Sequence, residues 1–291
     1  MASFTLSLKS DALGGQTSVS VVLPVFEDME SEIRAGERFQ TLWLLHGGGG
    51  DHTDYLRKTA IEHWAVRHKL AVVMPEVGNS FYNDLPDGPQ CYAYVVDELP
   101  RLLRKHFPLS DLREDNFIAG LSMGGFGAAK CAFNHPERYA AVALMSTGPV
   151  GPHQLARLFP QDDARFERTF GKMDAIPGTA NDVWHVLEQA MAAKVALPRI
   201  YDCCGTEDFA YEHFQAFRTF AEGIGVPVTY AEWPGTHSWD FWNEALPRII
   251  DWLPLKERGF VDRLGKERFA RMMAQRAERT KDETTEGKTG G

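Results

Sequence analysis

The chain has 291 residues, of which 44% are hydrophobic and 24% charged; this composition is typical of globular proteins and excludes disordered, collagen-like and disulfide-scaffold chains. A formal net charge of −9 lacks the basic excess of phosphate-backbone binders, so nucleic acid is not an expected partner. At ~150 residues per domain the length suggests two domains, although α/β folds of ~250 residues commonly form one.

No segment predicts a membrane anchor, since apolar runs such as Ala140–Met145 are far shorter than the ~18 residues of a spanning helix. The N-terminal MASFTLSLK also lacks the regions of a signal peptide. Four cysteines without CxxC spacing favour buried, reduced thiols over disulfides: Cys91, Cys131, Cys203 and Cys204. We therefore expect a cytoplasmic protein with no membrane partner.

The first quarter of the chain is rich in predicted β-strands. Thr5–Lys9 and Thr17–Leu23 alternate between polar and apolar residues, as neighbouring antiparallel strands do. Thr41–Leu45 and Ala71–Met74 are almost continuously apolar, which is typical of a parallel sheet covered on both faces. Further strands are predicted at Asn116–Ala119, Ala140–Met145, Arg199–Cys203 and Val226–Glu232.

Helices are predicted between these strands, at Asp54–His68, Tyr92–His106, Gly125–Asn134, Phe209–Glu222 and Asp240–Leu253. The alternation indicates βαβ units and a doubly wound, mostly parallel sheet with helices on both faces. We expect residues 1–255 to form a single α/β domain.

Two segments depart from the alternation. Residues 150–197 predict a helical insertion, either a cap over the carboxyl ends of the strands, which we favour because ligands bind there, or a surface crossover. Residues 256–291 are strongly charged; we expect a solvated helix over Glu257–Glu278, rather than an interaction arm, and disorder after about Arg279.

A Gly-x-Ser-x-Gly motif spans Gly120–Gly124 between a predicted strand and a predicted helix, the context of a nucleophile elbow. The flanking glycines are needed because the serine occupies a sharp, strained turn. Ser122 is therefore the candidate nucleophile, and it needs an adjacent general base.

His237 is the candidate base. In this fold the order along the chain is Ser, then Asp or Glu, then His, so histidines upstream of Ser122 are excluded. His237 lies in a loop directly after a predicted strand, from which an imidazole reaches over the sheet. The acid should follow another strand, and Asp208 is favoured there with Glu207 as the substitute.

Two backbone amides are needed to bind an oxyanion. Met123 follows the nucleophile and begins a helix, and Gly48 is our choice from the HGGGG segment after a predicted strand. A phosphate cradle fits less well, because no GxxxxGK[ST] or GxGxxG is completed and Asp51 would repel an anion.

The motifs HGGGGDH, GLSMGGFGAAK, CGTEDF and GTHSWDFW together resemble the esterase D-like family of α/β-hydrolases, from about residue 4 to residue 254. That family includes tributyrin, feruloyl and acetylxylan esterases, S-formylglutathione hydrolases and mycolyltransferases of the antigen 85 type. The resemblance implies Ser122, Asp208 and His237 as the triad, with oxyanion amides at Met123 and near Gly48. GLSMGGFGA resembles the tributyrin-esterase branch more closely than the S-formylglutathione hydrolase branch.

The expected activity is therefore that of a serine esterase acting on short acyl esters through an acyl-enzyme. Acyl transfer, thioester hydrolysis and a non-catalytic binding module remain alternatives. Phe81, Tyr82, Trp184 and the insertion are candidate pocket walls, although such aromatics also suit a core. Histidine and cysteine spacing predicts no metal, and no cofactor is implied. A small-molecule ester is the expected partner, and a homo-oligomer stays open.

Overall fold

A sheet of eight strands forms the centre of the computed structural model, which describes residues 1–25, 36–149 and 163–286. The strands are β1 Ala2–Ser10, β2 Gly15–Leu23, β3 Gln40–Leu45, β4 Leu70–Pro75, β5 Asn116–Leu121, β6 Ala141–Met145, β7 Arg199–Gly205 and β8 Val228–Trp233. Their spatial order is β1-β2-β4-β3-β5-β6-β7-β8. Only the β1–β2 and β2–β4 pairs are antiparallel, so the mostly parallel sheet predicted from the sequence is confirmed.

The inner strands are apolar because helices cover both of their faces. Every residue of β3, β4, β5 and β6 is buried. Alternate side chains of β3 enter two separate hydrophobic clusters: Trp43 and Leu45 enter one, and Leu42 and Leu44 the other. The core therefore consists of two layers, one on each side of the sheet.

The helices are α1 Asp54–Lys58, α2 Ile61–Arg67, α3 Leu99–His106, α4 Met123–Asn134, α5 Asp163–Phe170, α6 Val183–Ala192, α7 Tyr211–Gly223, α8 Trp239–Trp252 and α9 Phe260–Glu286. A short helical turn and a π-helix, Cys91–Ala93 and Tyr94–Glu98, lead directly into α3.

The single helix predicted over Asp54–His68 is wrong, because it is divided into α1 and α2. The Thr59 hydroxyl donates to Tyr55 O at 2.6 Å and accepts the Ile61 N–H at 3.2 Å. A threonine side chain bonded in this way competes with the helical backbone bonds.

The insertion and the C-terminal segment are described in part. Residues 150–162 lie outside the described residues, and the rest of the insertion contains α5 and α6, of which α6 packs against α4. At the C-terminus α9 runs to Glu286, past the point near Arg279 where the sequence predicts disorder; its Lys and Glu residues are good helix formers. In the part of the chain that the structure describes, no helix has the length and apolarity needed to cross a membrane.

Candidate active site

The serine motif forms a tight strand-to-helix turn. Ser122 lies between β5 and α4 with φ 52° and ψ −119°, a strained conformation for a residue with a side chain. A Cβ atom on Gly120 would lie 2.2 Å from Gly124 O, and one on Gly124 would lie 2.3 Å from Leu45 O. Both flanking glycines are therefore required by close backbone approach.

Asp208 and His237 form a direct pair at the carboxyl ends of β7 and β8. His237 Nδ1 lies 2.9 Å from Asp208 Oδ1 and 3.0 Å from Oδ2, and the Asp208 side chain is fully buried. Because a carboxylate only accepts, Nδ1 carries the proton, and Nε2 of the neutral ring is left as the base. The Asp208 carboxylate also accepts the Ala210 N–H at 2.8 Å, which fixes its orientation.

Two other carboxylates lie within or just after β7, those of Asp202 and Glu207, and neither contacts His237. Glu207 is exposed, and its backbone N–H donates to Gly235 O. Asp202 is buried within β7, and burial raises the pKa of its carboxyl well above the usual range, which favours the neutral acid. Of the three, Asp208 is the one placed to orient an imidazole.

Two aromatic rings confine His237. The Phe209 ring lies with its centroid 4.2 Å from that of the imidazole, and Phe209 is 60% exposed. Trp242, on α8, meets the imidazole edge-on at 5.0 Å, and its Nε1–H donates to Ser146 Oγ at 3.0 Å. Neither aromatic was predicted to line the site, although Phe209 directly follows Asp208 and Trp242 lies in the GTHSWDFW motif that contains His237.

Ser122 and His237 are not joined by a hydrogen bond: among the described residues the Ser122 hydroxyl has no hydrogen-bond partner. They are connected through β6 instead. Ser122 N–H donates to Met145 O at 2.8 Å, and the next residue, Ser146, accepts from Trp242. In enzymes such serine–histidine bonds often tighten only when substrate binds.

The glycine-rich loop after β3 lies beside the start of α4, because Gly124 packs under Leu45 O and His46 O. Gly49 N–H donates to Asn79 Oδ1 at 2.6 Å, and Gly50 N–H donates to Gly47 O at 3.2 Å. The N–H groups of Gly48 and Met123 have no acceptor among the described residues. These two amides are thus available to an anion.

The predicted pocket aromatics lie in different surroundings. Tyr82 as a pocket wall is wrong, because its ring has no exposed surface and fills the space beside Gly127, where a Cβ would lie 2.4 Å away. Phe81 is half-buried against Phe126 and the α5 aromatics. Trp184 stacks on Phe220 at 4.4 Å. Substrate contact by Phe81 and Trp184 stays a prediction.

Within residues 1–25, 36–149 and 163–286, no group of three or more His, Cys, Asp or Glu side chains is arranged to hold a metal ion.

A mostly parallel sheet with a strained serine after β5, an aspartate after β7 and a histidine after β8 is the arrangement of an α/β-hydrolase. The model of the Esterase family, described as "Putative esterase", matches residues 10–253, and the chain therefore belongs to this family.

Similarity to known esterases in sequence and in structure supports this assignment. The chain is 29% identical to an acetyl esterase of Caldicellulosiruptor saccharolyticus over 87% of this chain and 98% of that protein. The solved structure of FphF, a fluorophosphonate-binding serine hydrolase of Staphylococcus aureus, is 33% identical, with a TM-score of 0.80 over 87% of this chain and 98% of that one. The S-formylglutathione hydrolase FrmB of Staphylococcus aureus is also 33% identical, with a TM-score of 0.79 and the same coverage. The protein is thus a serine esterase, a carboxylic ester hydrolase.

Proposed function

We propose that the protein hydrolyses short-chain carboxylic acid esters with Ser122 as nucleophile, His237 as general base and Asp208 as the residue that orients His237. The bond between the buried Asp208 carboxylate and His237 Nδ1 carries the proposal, since it sets the tautomer in which Nε2 accepts a proton. Nε2 takes the serine proton as Oγ attacks the ester carbonyl and later gives it to the leaving alcohol. Water then attacks the acyl-enzyme, again with Nε2 as the base, and the carboxylic acid is released.

The developing oxyanion is bound by the N–H groups of Met123 and Gly48 in this proposal. Both amides lack an acceptor among the described residues, and Met123 begins α4, where the helix dipole favours negative charge. Because Gly49 and Gly50 use their N–H groups inside the loop, Gly48 is the amide best suited for the second contact.

A preference for short acyl chains is supported by the relative named acetyl esterase, which aligns over nearly its whole length. A series of p-nitrophenyl esters of increasing acyl length tests it directly: kcat/KM should be highest for acetate to butyrate. Ser122→Ala should lower kcat by about 10⁴-fold or more. Purified protein that cleaves no short acyl ester, or an alanine variant with full activity, would contradict the proposal.

Thioester hydrolysis is the second candidate, favoured by the 33% identity to an S-formylglutathione hydrolase. The same acyl-enzyme forms, with a thiol as the leaving group. Comparing kcat/KM for S-formylglutathione with that for p-nitrophenyl acetate separates the two activities. Adding an acceptor alcohol and analysing the products tests acyl transfer in the same assay.

We also propose that the reaction takes place in the cytoplasm with a small-molecule ester as the partner. The four cysteines are buried and unpaired, which suits a reducing compartment. A homo-oligomer and the absence of a nucleic-acid partner stay predictions from the sequence.

A further inference from the structure

A buried lysine lies on the elbow helix, outside the proposed triad. Lys130, on α4, is 3% exposed and has no ion pair among the described residues. Its Nζ donates to Asn83 Oδ1 at 2.5 Å and to Tyr82 O at 3.4 Å, and it lies 4.4 Å from the centre of the Tyr92 ring. Burial lowers the pKa of its ammonium to about 8. A charge buried without a carboxylate in direct contact is costly, so a compensating role is expected.

Lys130 binds a strained segment. Phe81 and Tyr82 both have φ 53°, in the left-handed region that bulky side chains rarely adopt. Such a conformation persists only where surrounding contacts enforce it. The two hydrogen bonds of Lys130 supply such contacts, and Asn83 Nδ2 adds another by donating to Thr169 O of α5 at 2.6 Å.

The strained segment Phe81–Tyr82 contacts the oxyanion loop, His46–Gly50, through the Tyr82 side chain. The Tyr82 ring lies against Gly127 of α4, and its hydroxyl donates to His46 O at 2.9 Å. His46 is the first residue of the HGGGG segment, so one fully buried side chain connects the elbow helix to that loop.

The neighbouring peptide group is fixed as well. Gly47 O accepts from His46 Nδ1 at 2.8 Å and from Gly50 N–H at 3.2 Å. In a trans peptide the C=O of Gly47 and the N–H of Gly48 point in opposite directions. Holding Gly47 O inside the loop therefore turns Gly48 N–H outward, and this orientation depends on where His46 is held.

We propose that Tyr82, held by Lys130, is a positioning residue that fixes the oxyanion loop so that Gly48 N–H points toward the reacting carbonyl. This inference rests on the proposed function, because it assigns a support to the oxyanion amide named there. Tyr82 contacts no reacting atom; it acts through the His46 carbonyl.

The test removes only the Tyr82 hydroxyl. Tyr82→Phe keeps the ring beside Gly127, and His46 O loses its donor. The value of kcat for p-nitrophenyl acetate should fall about 10-fold, less than the ~10²–10³-fold of losing an oxyanion donor outright, with KM changed by less than about 2-fold. The inhibition constant of a trifluoromethyl ketone should rise about as much as kcat falls, because its tetrahedral adduct uses the same amide.

Tyr230→Phe is the matched control, since the buried Tyr230 hydroxyl has no partner among the described residues. It should leave kcat, KM and the ketone inhibition constant unchanged. Titrating active sites by the burst of nitrophenol corrects each variant for its folded fraction. An unchanged kcat in Tyr82→Phe, an equal loss in Tyr230→Phe, or unaltered ketone inhibition overturns the inference.

Lys130→Met provides a second, independent variant, which removes the ammonium and keeps an unbranched chain. It should lower kcat about 3-fold, and combined with Tyr82→Phe the loss should be smaller than the product of the single losses, because both act through one segment. Fully multiplicative losses overturn the inference. A wild-type protein without esterase activity would instead overturn the proposed function, so the two failures are distinguishable.

Discussion

The two halves of the proposed active site, the Asp208–His237 pair and the oxyanion loop, are held in different ways. The Asp208–His237 pair is joined side chain to side chain, between loops that follow adjacent strands. The oxyanion loop is held through its backbone instead: the hydroxyls of Tyr55 and Tyr82 donate to Leu45 O and His46 O, and Asn79 accepts from Gly49 N–H.

This difference explains why the Asp208–His237 pair can be predicted from the sequence and the conformation of the oxyanion loop cannot. Where side chains perform the chemistry, their types and positions after strands identify them. Where backbone amides perform it, four glycines leave the loop without a preferred conformation of its own. Its shape then depends on side chains that are distant in sequence, and mutations in the two halves should have different consequences.

The largest effect is expected in the side-chain half. Asp208→Asn replaces a group that only accepts by an amide that also donates, so Nδ1 is no longer held in its protonated form. We expect kcat to fall about 10⁴-fold with little change in melting temperature. Glu207→Gln, one residue away and exposed, is the control and should keep wild-type kcat in the same ester assay. Equal losses in the two variants would contradict the assignment of Asp208.

The next effect tests the backbone half. In Gly124→Ala the new Cβ would lie 2.3 Å from Leu45 O and 2.6 Å from His46 O, so the oxyanion loop must move away from α4. We expect kcat to fall about 100-fold, as on losing one oxyanion donor. Gly223→Ala is the matched control, since a Cβ there meets nothing within 4 Å. Wild-type kcat in Gly124→Ala would show that the loop need not be held against α4.

The sequence predicted the sheet and the pairing of Asp208 with His237, because both follow local patterns. Apolar runs located the strands, and loop positions after strands selected Asp208 and His237 as the pair that the structure joins. No local feature of the sequence distinguishes Gly48 from the other three glycines of the loop. The reason to prefer Gly48 appears only when Asn79 and Gly47 are seen to occupy the N–H groups of Gly49 and Gly50.

Tyr82 shows why the packing of loop side chains could not be predicted from the sequence. An aromatic residue in a loop can line a pocket or pack in the core, and for Tyr82 the outcome depends on the space left by Gly127 on another element. The break between α1 and α2 has a similar origin, since apolar periodicity does not show that the Thr59 side chain bonds to the backbone.

A smaller effect is expected for Trp242, whose substitution tests whether the Asp208–His237 pair also needs support from residues that are distant in sequence. Trp242→Phe keeps an aromatic ring beside His237 but loses the bond to Ser146 Oγ. We expect kcat to fall about 10-fold, because the imidazole is less well positioned for proton transfer. Trp252→Phe is the control: its Nε1–H also donates to a hydroxyl, Thr229 Oγ1, but on the exposed surface. Ser146→Ala should reproduce the loss of Trp242→Phe and add little to it.

The smallest effect on activity is expected for Lys130, which supports the oxyanion loop through Tyr82. Lys130 should also give the free energy of unfolding a distinct pH dependence. Burial lowers the pKa of Lys130 from 10.5 to about 8, although nearby Cys131 and Asp84 oppose the shift. Between these values the unfolded chain binds a proton that the folded chain does not, so the free energy of unfolding rises with pH in this window. Below about pH 8 Lys130 is protonated in both the folded and the unfolded chain, so the folded chain bears the full free-energy cost of the buried charge.

Lys130→Met removes that dependence. As the pH rises from about 8 to 10.5, the wild type should therefore gain stability relative to the variant, by up to about 3 kcal/mol. Urea unfolding of both proteins across this range measures the difference, in which other titrating groups cancel. Lys172→Met, an exposed lysine, should run parallel to the wild type. A parallel profile for Lys130→Met would mean that Lys130 is not buried as a charge, and the support of the oxyanion loop would then have to come from Tyr82 alone.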